Sequence, residues 1–86
     1  MEGVAGKQAV QCFKNLETVL KAAGASMSDV VKITAFLVRE NDYKDYAEAR
    51  AQAFAPDSQP ASSTVIVKAL AKPEFRVEVE AIAVVE

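Results

Sequence analysis

The stretch from residue 75 to residue 85, FRVEVEAIAVV, constrains the fold of this chain most. Apolar and charged residues alternate through its first half, which predicts a strand with one apolar face, because successive side chains of a strand project to opposite faces. Glu78 and Glu80 would lie about 7 Å apart on the other face. Ile82 and Val84 then make that second face apolar. Such a strand needs either a partner against its second face or a cleft lined by its carboxylates.

The size of the chain points to association with other copies. Its 86 residues allow one domain, and 51% of them are hydrophobic. A chain this short buries only roughly 60–65% of the surface that its unfolded form exposes. Small domains without internal staples often gain stability by forming oligomers. Cys12 is the one cysteine and there is no histidine, so neither an internal disulfide nor a structural zinc site is expected.

Charge and composition exclude several classes of function. The net charge is −2 with an estimated pI near 5.1, and the ten Lys and Arg residues form no run, so nucleic-acid binding is not expected. No run of about 18 apolar residues is present, which predicts no membrane span. The start of the chain lacks a basic segment followed by an apolar block, so no signal peptide is expected. These features predict a cytoplasmic protein, with a mitochondrial location left open if the natural N-terminus is longer.

Periodicity predicts the order α-β-α-β-β, in which the first helix carries an apolar stripe that includes Cys12 and Phe13 and ends with Gly24 as a left-handed cap. The predicted elements are a helix over Lys7–Ala23, a buried strand over Val30–Val38, a helix from Asn41 or Asp42 to about Ala55, and strands over Ser63–Leu70 and Phe75–Val85. A helical crossover favours parallel pairing of the first two strands, and a short connection favours antiparallel pairing of the last two. Both helices would cover one sheet face. The other face, carrying Ile66, Ile82 and Val84, is predicted to be buried between subunits.

Five segments, in order and spacing, resemble the YjgF/YER057c/UK114 family, also called the Rid (reactive intermediate deaminase) family. They are KNLETVLKAAGAS, SDVVKITAFL, NDYKDYAEARAQAF, QPASSTVIVKAL and VEVEAIAV, which together extend from about Lys7 to Val85. The resemblance implies an α+β, chorismate-mutase-like sheet of the YjgF type, with two helices packed on one face and the other face buried in an oligomer. It also implies one domain over residues 1–86 and a homotrimer.

The resemblance implies a small-molecule site in a cleft between subunits. Deaminase members of the family hydrolyse 2-imino acids to 2-oxo acids and ammonia, without metal or cofactor. Two alternatives remain open: a non-catalytic member that binds a small metabolite or acts as a scaffold, and a relative of the translation inhibitors or endoribonucleases of the family. In each case the expected partners are further copies of the chain and a small ligand, not a membrane.

Three departures from the family pattern bear on activity. The 86 residues do not include the strand hairpin that usually precedes the first helix, so we expect either an N-terminally truncated member of the family or a fragment of a longer parent. The motif Pro-Ala-Arg-Ser, whose arginine binds the substrate carboxylate, is Pro-Ala-Ser-Ser here, with Ser62 at the arginine position. Thr64 stands where the family has a cysteine, and Ala47 where many members have an asparagine. Because serine offers no cationic fork to a carboxylate, weak or no turnover is expected.

The remaining candidate site residues are Glu78 and Arg50. Glu78 matches the family glutamate that positions the attacking water, and imine hydrolysis needs a directed water and a proton for the leaving nitrogen. Arg50, on the inward face of the second helix, is the alternative cation. Its other interpretation is a local ion pair with Asp45, Glu48 or a carboxylate at the sheet edge. Ser62 and Thr64 have no histidine base, so they are candidates for substrate binding and not nucleophiles.

Overall fold

The computed structural model describes residues 3–85, in which two helices pack on one face of a three-stranded sheet. In chain order the elements are helix α1 (Val4–Ala22), a 3-10 turn (Met27–Asp29), strand β1 (Val30–Leu37), a second 3-10 turn (Glu40–Asp42), helix α2 (Tyr43–Ala53), strand β2 (Ala61–Ile66) and strand β3 (Val77–Ala83). The predicted α+β order is confirmed.

Helix α1 begins at Val4 and not at Lys7 as predicted, because its first turn is also packed. Ala5 is buried there, ahead of the apolar stripe that the periodicity indicated. On that stripe Phe13 is buried and stacks near Tyr46 of α2, with ring centroids 6.2 Å apart. The helix ends before Gly24, whose φ of +82° is the left-handed conformation that a glycine adopts at low cost.

Strand β1 is the central strand of the sheet, whose order is β2-β1-β3. It pairs in parallel with β2, as predicted, and antiparallel with β3. The prediction that the last two strands pair with each other is wrong. Although β2 and β3 run in opposite directions, β1 lies between them. The chain between β2 and β3 therefore passes from one edge of the sheet to the other, which gives the backbone of β1 hydrogen-bond partners on both sides.

The two faces of the sheet are unequal. Ile33 and Leu37 of β1 lie on the helix-covered face and are 0% exposed. Phe36, between them on the opposite face, is only half-buried in the single chain, on the face that is predicted to be buried between subunits. Ile82 is 61% exposed on that open face, as predicted. Ile66 is instead aligned with Leu37, which puts it on the helix-covered face at the sheet edge.

One buried ion pair joins the start of α2 to the start of β3. Arg76 donates from Nε to Asp42 Oδ2 at 3.0 Å and from Nη2 to Asp42 Oδ1 at 2.6 Å. Asp42 is only 5% exposed, and its hydrogen bond raises the pKa of Arg76 above the ordinary arginine value. The bidentate geometry fixes the orientation of both side chains.

Candidate functional site

Helix α2 brings Arg50 to Ser62, which is near the start of strand β2. Arg50 follows Tyr46 by one helical turn, and its guanidinium carbon lies 5.7 Å from the centroid of the Tyr46 ring. From there Arg50 Nη1 donates a hydrogen bond to Ser62 Oγ at 3.2 Å. Two of the predicted site residues are therefore in contact. We call Arg50, Tyr46 and Ser62 the Arg50 cluster.

Tyr46 gives this cluster a polar atom without a hydrogen-bond partner. The residue is 0% exposed, and within residues 3–85 its hydroxyl makes no hydrogen bond of good geometry, although Ser62 and Arg50 lie close enough to interact with it. Burial raises the pKa of Tyr46, while the nearby Ser62 hydroxyl and Arg50 guanidinium lower it to a smaller extent. A buried hydroxyl without a partner costs about 1–3 kcal/mol.

Thr64 lies on the same sheet face as Ser62, aligned with the buried Ala35 of β1. It is half-buried and follows Ser62 by two residues, about 7 Å along the strand. The structure thus places three predicted substrate-binding residues, Arg50, Ser62 and Thr64, along one edge of the helix-covered face.

Glu78 lies on the other side of the sheet. It is aligned with Phe36 on the open face and is exposed. Its strand, β3, is separated from β2 by β1, a distance of about 10 Å between the two edge strands. Glu78 and the Arg50 cluster therefore cannot contact the same small molecule within one chain. The predicted site is divided into two halves.

Glu78 also borders an apolar groove of about 490 Å³ between α1 and the outer edge of β3. The apolar residues that line it are Leu16, Val19, Phe75, Val77 and Val79. Cys12 is at its base, where Sγ lies 3.8 Å from the backbone oxygen of Val77 and donates to it. Burial, and to a smaller extent the charge of Glu78, raise the pKa of the Cys12 thiol. The sequence predicted Cys12 as part of the helical stripe but gave no indication of a groove.

Lys32 is a further residue whose position the sequence did not predict. Its Nζ donates to Ser63 Oγ at 2.6 Å, across the parallel β1–β2 pair on the open face. Ser63, Thr34 and Glu80 form one row across that face. The alternation of residues in the three strands contains this information, but the register between them, which aligns the rows, is not visible in the sequence.

Two negative findings apply to the described part of the chain. No group of three or more His, Cys, Asp or Glu side chains within residues 3–85 is arranged to hold a metal ion. Neither of the two α-helices in that range is long and apolar enough to cross a membrane.

Two helices on one face of a small mixed sheet, with the order β2-β1-β3, define an α+β protein of the YjgF type. The sequence profile of the family described as Endoribonuclease L-PSP matches residues 1–85. The chain belongs to this family, which the resemblance above identified under its other name, YjgF/YER057c/UK114.

Individual relatives agree with this assignment. A 2-iminobutanoate/2-iminopropanoate deaminase from Dermatophagoides farinae is 42% identical over 79 residues, which cover 92% of this chain and 60% of the relative. The mitochondrial protein mmf1 of Schizosaccharomyces pombe is 36% identical over 85 residues, or 96% of this chain and 52% of the relative. The crystal structure of RidA from the Antarctic bacterium Psychrobacter sp. PAMC 21119 superposes with a TM-score of 0.88 at 34% identity, covering 99% of this chain and 67% of that one. The chain thus spans about half to two thirds of the length of these relatives.

Proposed function

We propose that this chain hydrolyses small 2-imino acids to 2-oxo acids and ammonia. The observation that carries the proposal is the contact between Arg50 Nη1 and Ser62 Oγ at 3.2 Å. It supplies a guanidinium at the position in the family motif from which the carboxylate-binding arginine is missing. The deaminase name of relatives such as the one from Dermatophagoides farinae supports the same reaction class.

The Arg50 cluster has the groups that a substrate carboxylate needs. The guanidinium supplies positive charge and several N–H donors, and Tyr46 supplies a hydroxyl that makes no hydrogen bond of good geometry within residues 3–85. Hydrogen bonds between charged groups contribute about 1.5–3 kcal/mol each. Arg50 approaches from a helix and not from the strand, so its reach differs from that of an arginine at position 62. We therefore expect binding that is weaker than in members with the motif arginine.

Glu78 would direct the water in this reaction. Its carboxylate accepts a proton from the water while the oxygen adds to the imine carbon, and the proton passes to the imine nitrogen. The resulting carbinolamine then passes its hydroxyl proton through Glu78 to the nitrogen, while the carbon–nitrogen bond breaks and the carbon–oxygen double bond forms, which releases ammonia and leaves the 2-oxo acid. Because Glu78 and the Arg50 cluster lie on opposite faces of one chain, we propose that each complete site takes Glu78 from one copy and Arg50 from its neighbour.

The open face gives a reason for copies to associate. Val65 and Ile82 are 43% and 61% exposed on it, next to the half-buried Phe36. Exposed apolar patches of this kind mark interaction surfaces. An oligomer, with a trimer as the expected form, would cover them and bring β3 of one copy towards β2 of another.

The activity is tested with 2-iminopropanoate generated in situ, by measuring 2-oxo acid and ammonia. Glu78→Gln is expected to lower kcat roughly 10²- to 10⁴-fold, since the carboxylate acts on the water in the transition state. Arg50→Ala is expected to raise KM about 10- to 100-fold with a smaller effect on kcat. Glu80→Gln, which removes a carboxylate from the same strand and face, is the matched control and should leave the rate unchanged.

A mixing experiment tests the shared site. Chains that carry Glu78→Gln and chains that carry Arg50→Ala, each with a much lower rate than the wild type at substrate concentrations below the wild-type KM, are unfolded together and refolded as a mixture. Random association should restore about a quarter of the wild-type rate, because one site in four then receives both native residues. No restoration, with oligomers of normal mass, would contradict the shared site.

A second function, binding without turnover, is favoured by one observation, namely that serine occupies position 62. It predicts that pyruvate, as a stable carboxylate analogue, raises the melting temperature of the wild-type chain but not of Arg50→Ala, while no imine is hydrolysed.

RNA cleavage is disfavoured by the net charge of −2 and by the exposed Glu78 and Glu80 on the open face. A cytoplasmic location stays a prediction.

A further inference from the structure

A small basic pocket of about 230 Å³ lies where the chain leaves the ends of β1 and β2. Arg39 comes from the turn after β1, Lys68 and Lys72 come from the connection between β2 and β3, and the other lining residues are apolar. Glu40 and Glu74 are neighbours in sequence, but neither lines the pocket. Three positive charges therefore share one pocket without a carboxylate in its lining, in a chain whose net charge is −2.

The three cations of the basic pocket have no counter-charge in the described part of the chain. Within residues 3–85, Arg39 and Lys68 make no hydrogen bond or ion pair. Lys72 contacts only an aromatic ring, with Nζ 5.8 Å from the centroid of Phe75, and this cation–π contact holds its charge at the pocket wall. Like charges in one pocket repel each other, and a bound anion would remove that repulsion.

The connection between β2 and β3 adds backbone donors to the basic pocket. Within residues 3–85, the N–H groups of residues 68–72 donate to no backbone oxygen. Hydrogen bonds from N–H groups to an anion are shorter and stronger than those between neutral groups. Arg39 can add a planar fork that matches a phosphate, and the two lysines can add point charges. The pocket thus combines the kinds of donor that phosphate binding uses.

The lining also indicates what the anion carries. Three cations favour an anion with two negative charges over a single carboxylate, because attraction increases with charge. The ring of Phe75 is 41% exposed and offers a flat apolar surface beside the cations. The volume is below the roughly 300–1,000 Å³ of sites for drug-sized ligands, so the occupant is small.

We propose that the basic pocket binds a small phosphate monoester. Its phosphate would contact Arg39, Lys68 and Lys72, and its apolar group would pack on Phe75. Ser62 is near the start of β2 and the pocket lies beyond the end of that strand, so within one chain this site is separate from the Arg50 cluster. The proposal does not depend on the imine deaminase activity.

The probe is phenyl phosphate, titrated into the full chain by calorimetry at about pH 8, where a monoester carries close to two negative charges. Benzoate has the same ring with one charge, and inorganic phosphate has the charge without the ring. Phenyl phosphate is expected to bind in a saturable manner and about tenfold or more tightly than either of them.

Two variants of the cations test the position of the site. Arg39→Gln and Lys68→Gln should each weaken phenyl phosphate binding about tenfold or more, since each removes a charged donor. Both side chains are exposed and have no partner within residues 3–85, so circular dichroism should stay native. Lys44→Gln removes an exposed lysine of α2 that does not line the pocket, and this matched control should bind as the wild type does.

A variant of the ring tests the apolar part of the ligand. Phe75→Leu should weaken binding of phenyl phosphate while changing that of inorganic phosphate much less.

Absence of saturable phenyl phosphate binding up to about 10 mM would overturn the proposal. Equal weakening by Lys44→Gln would also overturn it, since general electrostatic attraction would then account for the binding. Benzoate that binds as tightly as phenyl phosphate would contradict the assignment to a phosphate, and inorganic phosphate that does so would contradict the role of the ring.

Discussion

The two faces of the sheet are built from the same three strands and have opposite properties. On the helix-covered face the β1 residues Ile33, Ala35 and Leu37 are fully buried. On the open face the alternate residues of the same strand are only partly covered, and β3 adds the exposed Glu78 and Glu80. The covered face holds the chain together. The open face carries the carboxylate half of the proposed site, and the rim of the covered face carries the cationic half.

This contrast explains why one copy of the chain is insufficient for the proposed reaction. A sheet places adjacent residues of a strand on opposite sides, so Glu78 is separated from the Arg50 cluster by the thickness of the sheet as well as by β1. Four experiments test the contrast between the faces, and they are given in order of decreasing expected effect.

Truncation of a buried side chain should show the largest difference in stability between the two faces. Leu37→Ala is expected to lower the free energy of unfolding by about 2–5 kcal/mol, because it leaves a cavity in the covered face. Phe36→Ala, one residue earlier on the open face, should cost less than half as much at low protein concentration. Urea unfolding followed by circular dichroism measures both. Equal losses at micromolar concentration would show that the open face is also a core of the single chain.

Charge on the open face should disrupt association. Ile82→Asp places a carboxylate in the proposed interface, and static light scattering is expected to show a fall in mass to that of one chain. Val19→Asp makes the same change on α1, where the valine is also exposed, and should leave the mass unchanged. If the wild-type chain itself has the mass of a monomer at 50 µM or about that concentration, the open face is not an interface between copies.

Restoring the motif arginine tests the role of Arg50. In an Arg50→Ala background, Ser62→Arg is expected to recover about tenfold or more in kcat/KM for 2-iminopropanoate, since a guanidinium returns to the same edge of the sheet. In the native background the same substitution should add little, because Arg50 already occupies this place and repels a second cation. Large and equal gains in both backgrounds would show that Arg50 does not bind the carboxylate.

Tyr46 should show the smallest effect, and its sign is informative. Tyr46→Phe removes a buried hydroxyl that makes no hydrogen bond of good geometry within residues 3–85, and it is expected to stabilise the free chain by about 1 kcal/mol while weakening pyruvate binding. Burial raises the pKa of Tyr46 in the folded state, so the folded chain holds this proton more tightly than the unfolded chain. The stability of the native protein should therefore fall as pH rises above about 10, and Tyr46→Phe should reduce that fall. Denaturant midpoints measured between pH 8 and 11 or thereabouts provide the comparison.

The sequence predicted the elements well, because each has a local cause. The helical stripe with Phe13, the glycine that ends α1 and the alternation in β3 all act within a few residues. Which strands pair with each other has no local cause in the sequence. The short connection before β3 was compatible with a hairpin, but β1 is the more apolar strand, and the two others align on either side of it. For the same reason Ile66 was predicted on the wrong face of the sheet, since its face depends on its alignment with Leu37.

The site could be predicted only in part. Glu78, Arg50, Ser62 and Thr64 were identified from motif positions and residue chemistry. Their division between two faces, and the contact of Arg50 with Ser62, depend on the register of β1 with both neighbours and on how α2 lies over β2. The groove between α1 and β3, which Cys12 lines, likewise depends on how α1 packs against β3. No local pattern encodes these long-range distances.

The ion pair between Asp42 and Arg76 has a consequence for chimeras of this fold. These two residues are 34 positions apart and lie immediately before α2 and β3. The part of the chain between them contains α2 and β2, and thus every residue of the Arg50 cluster and none of Glu78's strand. Residues 43–75 therefore form a segment whose two ends are held together by this ion pair, so the segment can be exchanged as a unit. Transplanting it between family members would transfer the cationic half of the site while leaving the carboxylate half unchanged.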